Sequence, residues 1–141
     1  YYNSPLRNNY TNIGYVRQHP YLFSENALFN ITFTDTKKDI DVKKLEKAIK
    51  TSTCDQFLNL NNKSISNKNF SGGQIQRIAL ARELYKEPQL LFLDECFSGL
   101  PVDLHIKILK NLVENYPHLT IVFISHVNLD NNIPTINHFL N

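Results

Sequence analysis

The chain has 141 residues, of which 42% are hydrophobic and 20% are charged, a composition typical of one globular domain. Fifteen basic and 13 acidic residues leave a net charge of +2. That balance argues against nucleic acid or an anionic membrane surface as a main partner. The two cysteines, Cys54 and Cys96, have no metal-ligand spacing and indicate free thiols in a reducing compartment. Methionine is absent, so we expect the chain to be a piece of a longer protein.

The first half of the chain predicts one short strand followed by a helical insertion. The run IGYV at 13–16 is typical of a strand, whereas the aromatic stretch at 21–33 leaves its local structure open. Asp41 is expected to cap the next helix. The apolar residues of that helix recur at helical spacing and are Val42, Leu45, Ala48 and Ile49. The polar residues 59–69 indicate a loop, so we expect residues 24–70 to form the insertion.

The second half predicts alternating helices and strands. A helix is expected to open at Ser71 and to end before Pro88. One side of this helix carries Ile75, Ile78, Ala79 and Arg82. The apolar runs at 90–93 and 120–124 are typical of strands buried on both faces of a parallel sheet, and a last short strand is expected at 136–140.

A further helix is expected between the two apolar runs, and its broad apolar face predicts packing on the sheet. Two stripes make up that face, namely Leu104, Ile108 and Leu112, and Ile106, Leu109 and Val113. The alternation of strands and helices predicts an α/β, doubly wound core.

Two carboxylates, Asp94 and Glu95, follow the first apolar run directly. Open α/β sheets bind ligands at the carboxyl ends of their strands. One acid in that place can hold Mg²⁺ while its neighbour orients or deprotonates an attacking water. A solvated acid at a strand end explains the same pattern, so the pair alone leaves the choice open.

Paired glycines stand at the start of the helix that precedes these acids, in the run Ser71-Gly72-Gly73-Gln74. Glycine lets backbone N–H groups approach an anion closely, and a helix N-terminus adds favourable partial charge. A plain turn has the same composition. The position of the run, one helix before the acidic strand, favours a phosphate-binding role.

Together these motifs resemble the ABC-type ATPases, the nucleotide-binding domains of ABC transporters. The run FSGGQIQRIALAREL followed by LLFLDE resembles their signature motif and Walker B strand. Three further elements fall in the family's order: Gln18 resembles the Q-loop glutamine, SGLPVD at 98–103 the D-loop, and His126 the switch histidine. The resemblance extends from about residue 12 to residue 140.

The resemblance implies a role for each motif residue. Asp94 would help to hold Mg²⁺, Glu95 would be the general base, and Gln18 would sense the metal and the γ-phosphate of ATP. His126 would hydrogen-bond the γ-phosphate region. Four signature residues would face the ATP of an opposing subunit in a head-to-tail dimer; they are Ser71, Gly72, Gly73 and Gln74.

It also implies a partial P-loop NTPase fold, with a parallel sheet core and a helical subdomain inserted between the Q-loop and the signature motif. Residues 1–23 would end the N-terminal core, 24–70 would be the helical subdomain, and 71–141 would complete the α/β core. The implied partners are a second ABC domain and a transmembrane domain, in the same chain or a separate one, at the cytoplasmic face of the cell membrane. Residues 14–33 resemble the Q-loop and the segment that follows it in the nucleotide-binding domains of exporters.

The chain departs from the family pattern in two places. No G-x-x-x-x-G-K-S/T phosphate loop occurs; in the family it precedes the Q-loop, so it would lie before Tyr1. Either the chain was excised from a complete domain, which the intact acids favour, or the loop was lost. In both cases we expect weak ATP binding and no unaided hydrolysis. Pro101 stands where the D-loop usually has Asp. A soluble non-transport ABC ATPase and a catalytically silent regulatory subunit are the alternatives to a transporter motor.

Overall fold

The computed structural model describes residues 12–34, 36–60 and 70–125. Three strands and four α-helices form in the order β1, α1, α2, α3, β2, α4, β3. The strands are β1 (Ile13–Val16), β2 (Leu90–Asp94) and β3 (Thr120–Ile124). The helices are α1 (Ala27–Thr32), α2 (Val42–Thr51), α3 (Gly72–Tyr85) and α4 (Val102–Asn115). The strand predicted at 136–140 lies outside the described residues.

The strands form one parallel sheet in the order β1-β2-β3. Val16 pairs with Leu93, and Leu93 pairs with Phe123. Because the strands are parallel and in this register, the chain leaves all three of them at the same edge of the sheet. The predicted parallel α/β architecture is therefore confirmed. The edge at which open α/β sheets bind ligands is, in this sheet, the one that follows Val16, Asp94 and Ile124.

One face of the sheet is buried and the other is partly open. Val16, Leu91, Leu93 and Phe123 join side chains of α3 and α4 in a single buried cluster. On the opposite face, Ile13 is 54% exposed and Tyr15 is 46% exposed. The expectation that β2 is buried on both faces is met only in part within the described residues, because its side chains alternate between fully and partly buried.

Helix α3 is buried on more than the one side predicted for it. Ser71 caps the helix by accepting from the backbone N–H of Gln74 at 3.3 Å, while the Gln74 side chain accepts from the Ser71 N–H at 2.9 Å. This reciprocal capping box explains why the helix begins at Gly72. Leu80 and Leu84 face the sheet cluster, whereas Ile78 and Ala81 face a second cluster. The helix is therefore shared by two cores.

The second core is built from the segment predicted as a helical insertion. Helices α1 and α2 pack against α3, and the buried residues are Leu22, Ala27, Ile31, Leu45, Cys54, Ile78 and Ala81. The predicted Asp41 cap is confirmed, since its side chain accepts from the Lys44 N–H at 3.1 Å. Helix α1, which the sequence left open, is capped by Asn26. None of the helices in the described ranges is long and apolar enough to cross a bilayer.

Helix α4 packs on the sheet as predicted, but its buried face is shifted. His105 is fully buried beside Ile108, Leu109 and Leu112. Val113, predicted to be part of the face, is exposed. The His105 Nε2 contacts the backbone carbonyl of Phe97, so the imidazole is held by the turn that follows β2.

Candidate functional site

A side-chain amide and a carboxylate from distant parts of the chain meet at the carboxyl edge of the sheet. Gln18 lies two residues beyond β1, and Glu95 comes directly after β2. The Gln18 Nε2 donates a hydrogen bond to the Glu95 Oε2 at 2.9 Å, across 77 residues of sequence. Because β1 and β2 are adjacent and parallel, their ends bring these side chains together. Two sequence-predicted site residues are thus in contact.

Asp94, the last residue of β2, has a hydrogen-bond partner that was not predicted from the sequence. The Tyr15 hydroxyl donates to the Asp94 Oδ2 at 2.6 Å. This hydrogen bond raises the pKa of Tyr15, because the bound carboxylate favours the protonated phenol. Tyr15 pairs with Phe92 in the sheet register, two residues before Asp94 on the same strand face. The period-2 alternation of paired strands is the signal that could have located it.

The backbone at Glu95 adopts a conformation that non-glycine residues seldom take. Its φ is +44°, in the left-handed region. The Glu95 N–H donates to the Ile124 carbonyl at 2.9 Å, and its own carbonyl accepts from the Ser98 N–H at 3.2 Å. The chain therefore turns sharply after β2 while β3 still holds it. Such a residue costs on the order of 1 kcal/mol or more, and it places the carboxylate at the sheet edge.

The start of α3 lies against the turn that follows Glu95. A Cβ on Gly73 would stand 2.2 Å from the Leu100 Cδ2, whereas a Cβ on Gly72 would meet nothing within 4 Å. Only glycine at position 73 allows this close approach. Gly72 borders an open cleft of about 340 Å³ that also has Gln18 on its wall. The cleft is lined by Gln18, His19, Pro20, Gly72, Ile75, Gln76, Ser98 and Gly99.

The other members of the predicted signature set have local roles in this structure. The Ser71 and Gln74 side chains form the capping box of α3. Gln76, which the sequence analysis did not single out, donates from its Nε2 to the Gln18 carbonyl at 3.0 Å. Gln76 follows Gly72 by four residues, so the two lie on the same face of α3, and this spacing is the sequence signal that could have located Gln76 at the cleft. His126 lies outside the described residues.

The carboxylates at this edge suit a magnesium ion better than a transition metal. Mg²⁺ prefers oxygen ligands and is usually held by one or two carboxylates together with water and substrate phosphates. Asp94, Glu95 and the Gln18 amide supply such oxygens. In the described part of the chain no group of three or more His, Cys, Asp or Glu side chains could hold a metal by itself. The two carboxylates and the amide oxygen fit a Mg²⁺ ion that completes its coordination with further oxygen ligands.

The chain is similar in sequence to a known protein family and to several of its members. The family model described as ABC transporter matches residues 3–98. Across 122 residues the chain is 33% identical to a lacticin-481/lactococcin-DR transport/processing ATP-binding protein of Lactococcus lactis subsp. lactis. Across 120 residues it is 35% identical to ABC transporter B family member 29, chloroplastic, of Arabidopsis thaliana. Each alignment covers 81% of this chain.

Among solved structures, a bacterial Atm1-family ABC exporter with ATP bound is similar to this chain, with a TM-score of 0.70 and 26% identity. That match covers 82% of this chain and 21% of the exporter chain. The chain likewise spans 18% and 19% of the two curated relatives. It corresponds to about a fifth of each of these larger proteins.

Proposed function

Since the chain belongs to the ABC transporter family, we propose that it is part of the ATP-binding and ATP-hydrolysing motor domain of an exporter-like transporter. The hydrogen bond between Gln18 and Glu95 carries the proposal. It joins two loops at the edge where open α/β sheets bind ligands. The similarity to an exporter solved with ATP bound supports the same assignment.

The proposed chemistry assigns one task to each residue at the sheet edge. Glu95 accepts a proton from the attacking water, and Gln18 holds the carboxylate in place for that step. Asp94 holds the metal; Mg²⁺, when bound, offsets negative charge on the transferred phosphoryl group. The left-handed backbone at Glu95 sets the carboxylate before substrate arrives, so little reorganisation is needed during the reaction.

The signature residues Ser71, Gly72, Gly73 and Gln74 are proposed to contact the ATP of a second ABC domain in a head-to-tail dimer. The start of α3 is suited to an anion, because Gly72 is exposed there and the positive end of the helix dipole lies beside it. His126 is proposed to approach the γ-phosphate. The chain has no G-x-x-x-x-G-K-S/T loop, so we expect turnover from the longer protein rather than from this chain alone.

The proposed membrane partner would dock on the aromatic side chains that follow the Q-loop. Tyr21, Phe23, Phe29 and Phe33 form edge-to-face contacts with centroids 5.2–6.1 Å apart. Tyr21 is 63% exposed, and exposed aromatic clusters are typical of protein interaction surfaces. A transmembrane domain seated there would place this chain at the cytoplasmic face of the cell membrane.

The first prediction concerns Glu95→Gln in the full-length protein. We expect Mg²⁺-dependent ATP hydrolysis in the unaltered protein and a loss of at least about a hundredfold in kcat in the variant, because the amide cannot accept the proton. ATP binding should persist. Phosphate release measured against ATP concentration gives both kcat and KM.

Glu114→Gln is the matched control, because Glu114 is exposed on α4, away from the sheet edge. It should leave turnover unchanged. Equal turnover in the Glu95→Gln variant and the unaltered dimer would contradict the motor assignment. It would favour a catalytically silent subunit, an alternative that Pro101 supports because it stands where the family's D-loop usually has Asp.

A further inference from the structure

We propose that Gln76 is a positioning residue that ties helix α3 to the general base through the backbone of Gln18; the inference rests on the proposed function. Gln76 lies one turn after Gly72 on α3 and is 5% exposed. Its Nε2 donates to the Gln18 carbonyl at 3.0 Å, and the Gln18 side chain donates to Glu95 at 2.9 Å. Two consecutive hydrogen bonds thus connect the signature helix to the catalytic carboxylate.

The orientation of the Gln76 amide follows from its partner. A carbonyl oxygen can only accept, so the nitrogen end of the amide must face the Gln18 carbonyl. This leaves the Oε1 pointing elsewhere, and within the described residues this buried oxygen has no hydrogen-bond partner. It lies toward the turn after Glu95, since a Cβ on Gly99 would be 3.8 Å from it.

An unpaired buried amide oxygen is unfavourable, because it gives up its hydrogen bonds to water without a replacement. An apolar side chain of the same size would fill the position without that cost, so packing alone does not account for glutamine here. What glutamine adds is the N–H donor to Gln18. The amide also lies between two loops that the proposed reaction uses, the Gln18 loop and the turn that begins at Glu95.

As a consequence, a displacement of α3 changes how the Glu95 carboxylate is held. The start of α3 is proposed to contact the ATP of the opposing domain, and Gly73 already packs against Leu100 with no spare room. A displacement of the helix would pull on the Gln18 carbonyl and thereby change the orientation of the Gln18 side chain on Glu95. Gln76 therefore makes the general base sensitive to the state of the dimer interface.

The test uses the full-length protein with Gln76→Met, which keeps the size of the side chain and removes the donor. We expect kcat for ATP to fall roughly three- to tenfold, the loss appropriate to one hydrogen bond, with KM little changed. Gln76→Glu places an ionised carboxylate, which cannot donate, against the Gln18 carbonyl, and it should show a loss at least as large. Gln89→Glu, an exposed position just before β2, is the matched control and should show none.

Two further readouts separate positioning from simple stabilisation. In a Gln18→Ala background the side-chain bridge to Glu95 is gone, so Gln76→Met should have no further effect on kcat. Without nucleotide, hydrogen–deuterium exchange at residues 17–20 should be faster in both Gln76 variants, because both remove the hydrogen bond to the Gln18 carbonyl. Exchange there should be unchanged in Gln89→Glu, which keeps that bond.

The outcomes are distinguishable. Unchanged kcat and exchange in the Gln76 variants, with turnover abolished by Glu95→Gln, would overturn the inference and leave the proposed function standing. Additive losses in the Gln18→Ala background would also overturn it. Absence of turnover in the unaltered protein would overturn the proposed function, and the inference with it. If Gln76→Met does not fold, Gln76→Glu carries the test.

Discussion

Cys54 and Cys96 are both fully buried free thiols. Desolvation disfavours the thiolate and raises the pKa of Cys54 from about 9 to about 12. The pKa of Cys96, next to Glu95, is also raised by burial. The folded chain therefore keeps its thiol protons at pH values where unfolded thiols lose theirs. The contribution of this pKa difference to the unfolding free energy is fully present below about pH 9 and is lost as the pH rises toward 12.

We accordingly predict that the native chain resists alkylation. At pH 8 the thiolate fraction of Cys54 should be roughly a thousandfold lower than that of an unfolded thiol, since the pKa is higher by about three units. Iodoacetamide labelling followed by mass spectrometry should leave both cysteines unmodified in the native chain and modify both in denaturant. Across pH 8–11, Cys54→Ala should weaken the decline in unfolding free energy.

Rapid labelling of Cys54 at pH 8 under native conditions would contradict this account. It would mean that the segment between α2 and residue 60 opens often enough to expose the thiol.

At the scale of one element, the start of α3 shows how two adjacent glycines can have different roles. Gly73 touches the turn after β2, where a Cβ would stand 2.2 Å from Leu100. Gly72 faces open space, and neither glycine has a positive φ. Alanine at position 73 therefore requires the Leu100 side chain to shift, whereas alanine at position 72 meets no neighbouring atom within 4 Å. Both positions hold glycine, so only their packing distinguishes the roles of the two residues.

Gly73→Ala should be less favourable than Gly72→Ala by about 1 kcal/mol in unfolding free energy, because the Leu100 side chain must shift to admit the methyl group. Gly72→Ala is the matched control and should be neutral or stabilising by up to about 1 kcal/mol, since alanine has the better helix propensity. Urea unfolding followed by circular dichroism measures both. Equal effects of the two substitutions would mean that α3 does not pack on Leu100.

At the scale of the whole molecule, α3 joins two cores, and Arg82 links this helix to the segment that contains α1. Arg82 is buried on α3 and donates to the Asn30 carbonyl at 2.7 Å, the Tyr21 carbonyl at 3.0 Å and the Asn30 Oδ1 at 3.2 Å. Its guanidinium also lies 5.2 Å from the centre of the Phe33 ring. The segment that carries the aromatic cluster is thus held to the helix that carries the signature residues.

Arg82→Lys should lower the unfolding free energy by about 1–3 kcal/mol, because an ammonium cannot reproduce the fixed fork of donors. Hydrogen–deuterium exchange should rise first at residues 21–33. Arg17→Lys, at an exposed position after β1, is the control and should change neither quantity. A uniform rise in exchange along the chain would instead indicate that Arg82 supports both cores equally.

Much of this molecule was predictable from local pattern. Continuous apolar runs identified β2 and β3, the Asp41 cap identified α2, and the Ser71 start identified α3. The acids at the end of β2 were recognised as site candidates because strand ends in parallel sheets bind ligands. Helix α1 was not predicted, since its six residues are too few to show a helical period. The roles assigned to Ser71, Gly72, Gly73 and Gln74 stay predictions.

The sequence by itself determined every strand and α-helix in the described residues except α1, together with the parallel arrangement and the family, because periodicity, caps and motif spacing are properties of neighbouring residues. Only the tertiary structure decided which side chains meet. The contacts of Gln18 with Glu95, of Tyr15 with Asp94 and of Gln76 with Gln18 join residues 58–79 positions apart. Such contacts depend on strand register and on the placement of the helices. The helices are placed by the burial of two separate cores against α3.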